Sequence, residues 1–180
     1  MKGVTQAKIR ELCVRARQAS RELMKLSAGD KNRALLEIAA ALERRKDEVL
    51  RENRDDVEDG KAARLTGALM DRLILDEDRI RDMARSIRKV ASLPDPVGEI
   101  VDGYRLPNGL EIRRVRAPFG VVAVIYEARP NVTVDAAGLC LKAGNAVVLR
   151  AGSASLRSAR MLTEVINGAL IDAGLPRGSV

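Results

Sequence analysis

Two short apolar runs, separated by about the length of one helix, place the strongest constraint on the fold of this chain. The runs cover residues 121–126 and 146–149, and Val and Ile dominate them without polar alternation. Such runs are typical of parallel strands buried on both faces. Strand, helix and strand at this spacing predict a βαβ crossover, which is right-handed in nearly all proteins. Ligands of such units bind beyond the carboxyl ends of the strands, near helix N-termini, so we expect the functional residues at 127–133 and 150–155.

The residues before this unit predict mainly helices. Apolar positions at helical spacing predict a first helix over residues 4–26. A second helix is expected after Ser27-Ala28-Gly29-Asp30, which has the S-x-x-D form of a helix start. The polar stretch 53–60 predicts a break, and Gly67 is expected to interrupt the helical stretch that follows.

A change of character after residue 98 predicts a hairpin. Two β-rich runs, 100–106 and 110–115, flank Asn108-Gly109, and Asn-Gly in that position is a strong hairpin signal. A last helix is expected to end at Gly174. We therefore predict an α/β fold with an N-terminal helical segment, a β-hairpin and a partial Rossmann-like parallel sheet. Because a doubly wound sheet has more than two strands, we expect this sheet to be incomplete.

Composition excludes several functional classes. The chain has 180 residues, no histidine and a net charge of +7, which excludes His-based triads and permits an anionic partner. Its two cysteines, Cys13 and Cys140, show no disulfide or metal spacing, so we expect no metal site. No apolar run approaches the roughly 20 residues of a membrane span, and the N-terminus has no signal-peptide pattern. A cytoplasmic protein without a membrane partner is expected.

The cysteines and a cluster of basic residues each have two interpretations. Cys13 and Cys140 could be nucleophiles, but Cys13 lies on the apolar stripe of the first helix, and we expect both to be core residues. The basic cluster could bind nucleic acid, but Asp82 lies among its members, and it has no aromatic residue between them on which a base could stack. We therefore expect no nucleic-acid partner. The cluster consists of Arg79, Arg81, Arg85, Arg88 and Lys89.

Two longer motifs resemble a known family. Residues 120–135 read G-V-V-A-V-I-Y-E-A-R-P-N-V-T-V-D, and residues 139–150 read L-C-L-K-A-G-N-A-V-V-L-R. Both closely resemble the γ-glutamyl phosphate reductases, a branch of the aldehyde dehydrogenase superfamily. The run I-Y-E-A-R-P-N-V-T-V-D is specific to this branch, and the resemblance covers nearly the whole chain.

The resemblance implies a reaction and a cofactor. Members of this family reduce L-glutamyl 5-phosphate with NADPH to glutamate 5-semialdehyde and release phosphate, in proline biosynthesis. They use a cysteine thiolate, in a separate catalytic domain further downstream, to which neither Cys13 nor Cys140 corresponds. We therefore expect this chain to be the N-terminal, NADP-binding portion of such an enzyme, inactive by itself. The alternative is a non-catalytic split or truncated assembly module that needs a complementary chain.

The resemblance also implies a domain organisation. Residues 1–98 would form a helical part packed on the cofactor domain, residues 99–117 an oligomerisation hairpin, and residues 118–180 the first half of the NADP-binding domain, with the catalytic domain absent. Since the superfamily uses such hairpins between subunits, the full enzyme is expected to be a homo-oligomer.

Three residues are expected to bind the cofactor. Arg150 matches the superfamily position where a basic side chain contacts the adenosine ribose, and a guanidinium there suits a 2′-phosphate. Ser153 occupies the place where relatives that prefer NAD commonly have a glutamate, so the resemblance favours NADP. Tyr126 is the third residue assigned to the cofactor. The alternative for Arg150 is a strand-end arginine in solvent.

Two residues are expected to act on the substrate. Asn131 matches the superfamily asparagine whose amide stabilises an oxyanion. Alternatively, Asn131 or Thr133 caps the following helix. Arg129 could bind the acyl phosphate or carboxylate of the substrate, unless Glu127 neutralises it. Lys142 is expected to complement the dipole at the end of that helix, without a catalytic role.

Overall fold

The computed structural model describes residues 6–180 and shows an α/β chain with seven α-helices and two small sheets among these residues. The first expected helix includes residues 4 and 5, which lie outside the described residues. The helices are α1 (Gln6–Leu23), α2 (Ala28–Arg44), α3 (Lys46–Ala62), α4 (Gly67–Leu73), α5 (Glu77–Ser92), α6 (Asn131–Lys142) and α7 (Leu156–Asp172). The strands are β1 (Ile100–Arg105), β2 (Glu111–Val115), β3 (Val121–Ile125) and β4 (Ala146–Arg150).

The expected crossover and hairpin are both present. Strand β3 pairs in parallel with β4, from Val121 opposite Ala146 to Ile125 opposite Arg150, and α6 connects them. Strands β1 and β2 pair antiparallel. Their turn depends on Gly109, whose φ of +89° favours glycine, and on a hydrogen bond from its backbone N to the Leu106 carbonyl. The predicted fold class is confirmed.

Local capping signals fix several helix ends. The Ser27 side chain accepts a hydrogen bond from the Asp30 backbone N at 3.1 Å, and the Asp30 carboxylate accepts one from the Ser27 backbone N at 3.3 Å. This is the predicted capping box. Gly174 ends α7 with a φ of +79°, also as expected.

The expected break at residues 53–60 is wrong, because α3 runs through this stretch and the chain breaks earlier, at Arg45. Asn53 is buried and fully hydrogen-bonded, so its polarity does not indicate a loop. Gly60 is buried where an added Cβ would lie 3.1 Å from side-chain atoms of Leu65 and Met70. Gly67 begins α4 rather than interrupting a helix.

The core is aliphatic, as the composition requires. Helix α2 lies at its centre, between α5 and α7, and β4 contributes the buried side chains of Ala146 and Val147. The largest fully buried side chains are Leu23, Leu35, Ile38, Leu42, Val49, Leu73, Ile80, Ile87, Leu141, Leu162, Ile166 and Leu170.

Two expectations about burial are wrong. Cys13 is exposed together with Ile9 and Leu12, because α1 turns Ala16, Ala19 and Leu23 inward instead. Strand β3 is not buried on both faces either, and Ile125 is 77% exposed. The reason is that helices α1 and α6 pack mainly on β4 and cover little of β3.

Buried charges join α2, α5 and α6. The Nζ of Lys31 donates to the Asp95 carboxylate at 2.7 Å. Lys142 is also buried, and its Nζ donates to Asn32 Oδ1 at 2.6 Å and to the Ala91 carbonyl at 2.9 Å. Lys142 lies in the last turn of α6, as expected for a cation near the end of the helix dipole, and its side chain also links α6 to α2 and α5.

Among residues 6–180, no helix combines the length and the apolarity that crossing a bilayer requires.

Candidate functional site

The segments that follow β3 and β4 contact each other, as expected for the carboxyl ends of parallel strands. The Tyr126 backbone N donates to the Arg150 carbonyl at 3.1 Å. The Ser155 hydroxyl donates to the Glu127 carbonyl at 3.2 Å. A Cβ added at Gly152 would lie 3.0 Å from the Glu127 Cα, so only glycine permits this approach without a backbone shift. Tyr126 and Glu127 therefore meet residues 150–155 at one edge of the sheet, whereas no hydrogen bond joins Arg129 or Asn131 to residues 150–155 within the described residues.

The three cofactor candidates differ in their accessibility. Arg150 and Ser153 are exposed, and no ion pair of Arg150 occurs in the part of the chain that the structure describes. Tyr126 is buried, and its hydroxyl lies 2.6 Å from Thr133 Oγ1. Burial raises the pKa of Tyr126, and the hydrogen bond to Thr133 partly offsets this. Tyr126 lines a cavity of about 660 Å³ next to β4 and α7, to which Arg150 and Ser153 do not contribute.

A buried polar network holds the start of α7. The Asp56 carboxylate accepts hydrogen bonds from the backbone N of Ser158 at 2.8 Å, from the Ser158 hydroxyl at 2.7 Å and from the backbone N of Arg157 at 3.2 Å. Asn53 donates to the same hydroxyl at 2.9 Å. Because Asp56 occupies backbone donors of the first turn of α7, a bound phosphate cannot use those donors.

Arg129 and Asn131 line a second cavity, of about 350 Å³, at the start of α6. Asn131 donates through Nδ2 to Asp135 Oδ2 at 3.2 Å. Neither Asn131 nor Thr133 caps α6, since Pro130 takes the N-cap position without a side-chain bond and Thr133 pairs with Tyr126. The capping alternative is therefore wrong.

Arg129 and Glu127 form no side-chain ion pair in residues 6–180, and the contact between these residues is a backbone hydrogen bond of 2.8 Å. Neutralisation of Arg129 by Glu127 is therefore not observed. Arg129 is exposed and lines the cavity.

The sequence did not reveal most residues of this second cavity. Asp135 lies one helical turn after Asn131, a spacing that could have indicated the contact. The remaining charged residues come from α4 and α5, and nothing local in the sequence connects them with residue 131. They are Asp71, Arg72, Arg79 and Asp82.

Most of these remote charges are already paired. Arg79 donates to the Ile74 carbonyl at 2.6 Å and to the Asp71 carboxylate at 2.8 Å. Asp82 pairs with Arg85 at 3.0 Å. Asp135 is half-buried, which raises the pKa of its carboxyl group, although the bond from Asn131 opposes this shift.

The cysteines lie apart from these contacts. Cys13 is exposed on α1, beside a groove that Phe119 also lines. Cys140 is half-buried on α6 and packs against the core, and burial raises the pKa of its thiol. Since the thiolate is the reactive form, this burial disfavours nucleophilic chemistry at Cys140. Within residues 6–180, no group of three or more acidic or cysteine side chains could hold a metal ion.

The fold and this edge of the sheet identify the class of protein. The sequence profile of the aldehyde dehydrogenase family matches residues 1–180, and the chain belongs to that family. Within it, the chain is 55% identical over 166 residues to a γ-glutamyl phosphate reductase of Moorella thermoacetica and 50% identical over 173 residues to one of Syntrophomonas wolfei. These matches cover 92% and 96% of this chain, which spans 40% and 41% of the length of those relatives. The resemblance inferred from the motifs is confirmed.

Solved structures agree with this assignment. The γ-glutamyl phosphate reductase of Thermotoga maritima superposes with a TM-score of 0.92 at 40% identity, over 96% of this chain and 42% of that one. The Saccharomyces cerevisiae protein of the same name gives a TM-score of 0.90 at 31% identity, over 99% of this chain and 46% of that one. A probable aldehyde dehydrogenase of Listeria monocytogenes, at 17% identity and a TM-score of 0.72, shares the fold over 97% of this chain and 36% of its own.

Proposed function

We propose that this chain is the NADP-binding portion of an enzyme that reduces L-glutamyl 5-phosphate to glutamate 5-semialdehyde and releases phosphate. The observation that carries the proposal is the contact between the two segments at the carboxyl ends of β3 and β4. One segment presents the exposed guanidinium of Arg150, and the other presents Arg129 and Asn131 beside a cavity. The similarity to γ-glutamyl phosphate reductases supports this choice of substrate.

The residues after β4 fit a phosphorylated dinucleotide. The exposed Arg150 lacks a carboxylate partner among the described residues, and Ser153 places no competing charge nearby. In the proposal, Arg150 binds the 2′-phosphate of NADP and Ser153 lies beside the ribose. Tyr126 contributes its ring rather than its hydroxyl, because Thr133 engages that hydroxyl. The bound NADPH supplies the hydride.

The residues after β3 fit the reacting carbonyl. Arg129 binds an anionic group of the substrate, and Asn131 directs an amide hydrogen at the oxygen on which negative charge develops. One Asn131 hydrogen is given to Asp135, which leaves the second available.

The nucleophile expected for this chemistry is a cysteine thiolate. The proposal assigns that role to neither Cys13 nor Cys140, because burial raises the pKa of the Cys140 thiol and Cys13 lies on α1, away from both segments. This chain alone is therefore expected to be inactive. In the proposal, the whole enzyme is cytoplasmic.

The hairpin is the interface between copies in this proposal. Both of its strands are exposed and carry apolar side chains. Monomeric proteins rarely expose a large continuous apolar patch, and such patches mark interaction surfaces. These side chains are Ile100, Val101, Tyr104 and Val115.

Nucleic acid is not a partner in the proposal, since four of the five basic residues on α5 are engaged in ion pairs, namely Arg79, Arg81, Arg85 and Arg88.

Substituting Arg150 tests the cofactor assignment. Calorimetric titration of the Arg150→Ala chain is expected to show NADP binding about tenfold weaker or more, because a charge-assisted contact to the 2′-phosphate is lost. The affinity for NAD should change little. The control is Arg54→Ala, which removes an exposed arginine on α3, away from β4. It should leave both affinities unchanged. An equal loss for NAD and NADP, or no loss, would contradict the assignment.

A further inference from the structure

We propose that Asp135 binds the α-ammonium group of an amino-acid substrate, in the cavity that Arg129 and Asn131 also line. This inference rests on the proposed function, since it takes the cavity to hold L-glutamyl 5-phosphate. It adds a residue that distinguishes an amino acid from the same dicarboxylic skeleton without its amino group.

The pairing of charges in the cavity singles out Asp135. Asp71 is engaged by Arg79, and Asp82 is engaged by Arg85. Asp135 accepts one hydrogen bond, from the neutral amide of Asn131, and has no ion pair within residues 6–180. It is thus the one carboxylate lining this cavity that lacks a cationic partner in the described part of the chain.

The geometry leaves one oxygen of Asp135 available. Asn131 occupies Oδ2, whereas Oδ1 accepts no hydrogen bond from the described residues. No polar side-chain atom in the described part of the chain is both buried and without a hydrogen-bond partner, so Oδ1 is accessible to solvent, and Asp135 lines the cavity. An ammonium group carries three donors and no acceptor, so it is a suitable partner for this oxygen.

The energetics also favour a cationic partner. Half-burial raises the pKa of the Asp135 carboxyl group, which shows that its charged form is penalised there. A bound ammonium offsets that penalty. Arg129 and Arg72, which line the same cavity and form no ion pair within residues 6–180, provide the opposite charge for the α-carboxylate and the acyl phosphate. At about 350 Å³, the cavity is within the usual range for small ligands.

Binding of two acids to the chain tests the inference. Titrations monitored by NMR would compare L-glutamate with glutarate, which lacks only the amino group. The unsubstituted chain is expected to bind L-glutamate about tenfold more tightly or better, and Asp135→Asn should make the two affinities similar. Asp78→Asn, which removes an exposed carboxylate of α5 outside the cavity, should preserve the difference.

A second readout separates ligand binding from a purely structural role of Asp135. Saturating L-glutamate should lower the pKa of the Asp135 carboxyl group, followed by carbon-13 NMR, and glutarate should not. A residue that only orients Asn131 would show no such difference. Equal affinities of the unsubstituted chain for the two acids, an undiminished difference in Asp135→Asn, or no binding of either acid would overturn the inference.

The NADP titrations of Arg150→Ala keep this test separate from the proposed function. Preference for NADP through Arg150 without discrimination between the two acids would overturn the inference and leave the function standing. Discrimination that depends on Asp135 without any NADP binding would support the inference as an amino-acid site and count against the proposed reductase.

Discussion

Replacing Asp56 with alanine is expected to lower the free energy of unfolding of the chain by about 3 kcal/mol. Asp56 is 3% exposed and accepts three hydrogen bonds from Arg157 and Ser158. Removing its carboxylate leaves two backbone donors and one hydroxyl without their acceptor, and each buried unpaired group costs about 1–3 kcal/mol. Urea unfolding followed by circular dichroism measures the change.

The neighbouring Asp55 provides a matched control. Its side chain is exposed, so Asp55→Ala should change the free energy of unfolding by less than about 0.5 kcal/mol. If Asp56→Ala cost no more than this control, the carboxylate would not hold the start of α7, and the argument that it blocks phosphate from that turn would fail.

Replacing Asp95 with asparagine is also expected to cost about 3 kcal/mol, because it leaves buried cations without an anion. The Lys31 side chain is 2% exposed and donates to Asp95, and Lys142 is buried nearby. Burial lowers the pKa of Lys142, and the charge of Asp95 opposes that shift. Asp82→Asn, which breaks an exposed pair with Arg85, is the control and should cost less than about 0.5 kcal/mol.

The effect of Asp95 should depend on pH. Burial raises the pKa of its carboxyl group, but hydrogen bonds from Lys31 and from the Val97 backbone outweigh this, and the pKa lies below its ordinary value of 3.8. The stabilisation is therefore present above pH 3.8 and is lost as the pH falls through the pKa of the folded state. Urea unfolding should therefore be measured at neutral and acidic pH for the unsubstituted chain and for Asp95→Asn. Their free energies of unfolding should converge in acid, and a difference that stays constant with pH would contradict the ion-pair interpretation.

The sequence revealed those features that local signals determine. The apolar runs around α6, the Asn108-Gly109 turn and the capping box at Ser27 each specify an element through neighbouring residues. The contact of Tyr126 and Glu127 with residues 150–155 follows from the parallel pairing of β3 and β4.

The features that the sequence concealed depend on distant residues. Asn53 looked like part of a loop because its partners, Leu73, Leu75 and Ser158, lie on other elements. Cys13 looked buried because periodicity indicates an apolar face without showing what covers it. The cavity at Asn131 likewise needs α4 and α5, and only the fold brings these helices to α6.

The most direct test is to map NADP binding on the backbone amides of the chain by NMR. If the segments after β3 and β4 form one site, chemical-shift changes should appear together at residues 126–129 and 150–155, while the hairpin at residues 100–115 stays unchanged. Changes confined to one of the two segments, or concentrated in the hairpin, would contradict a shared site at this edge of the sheet.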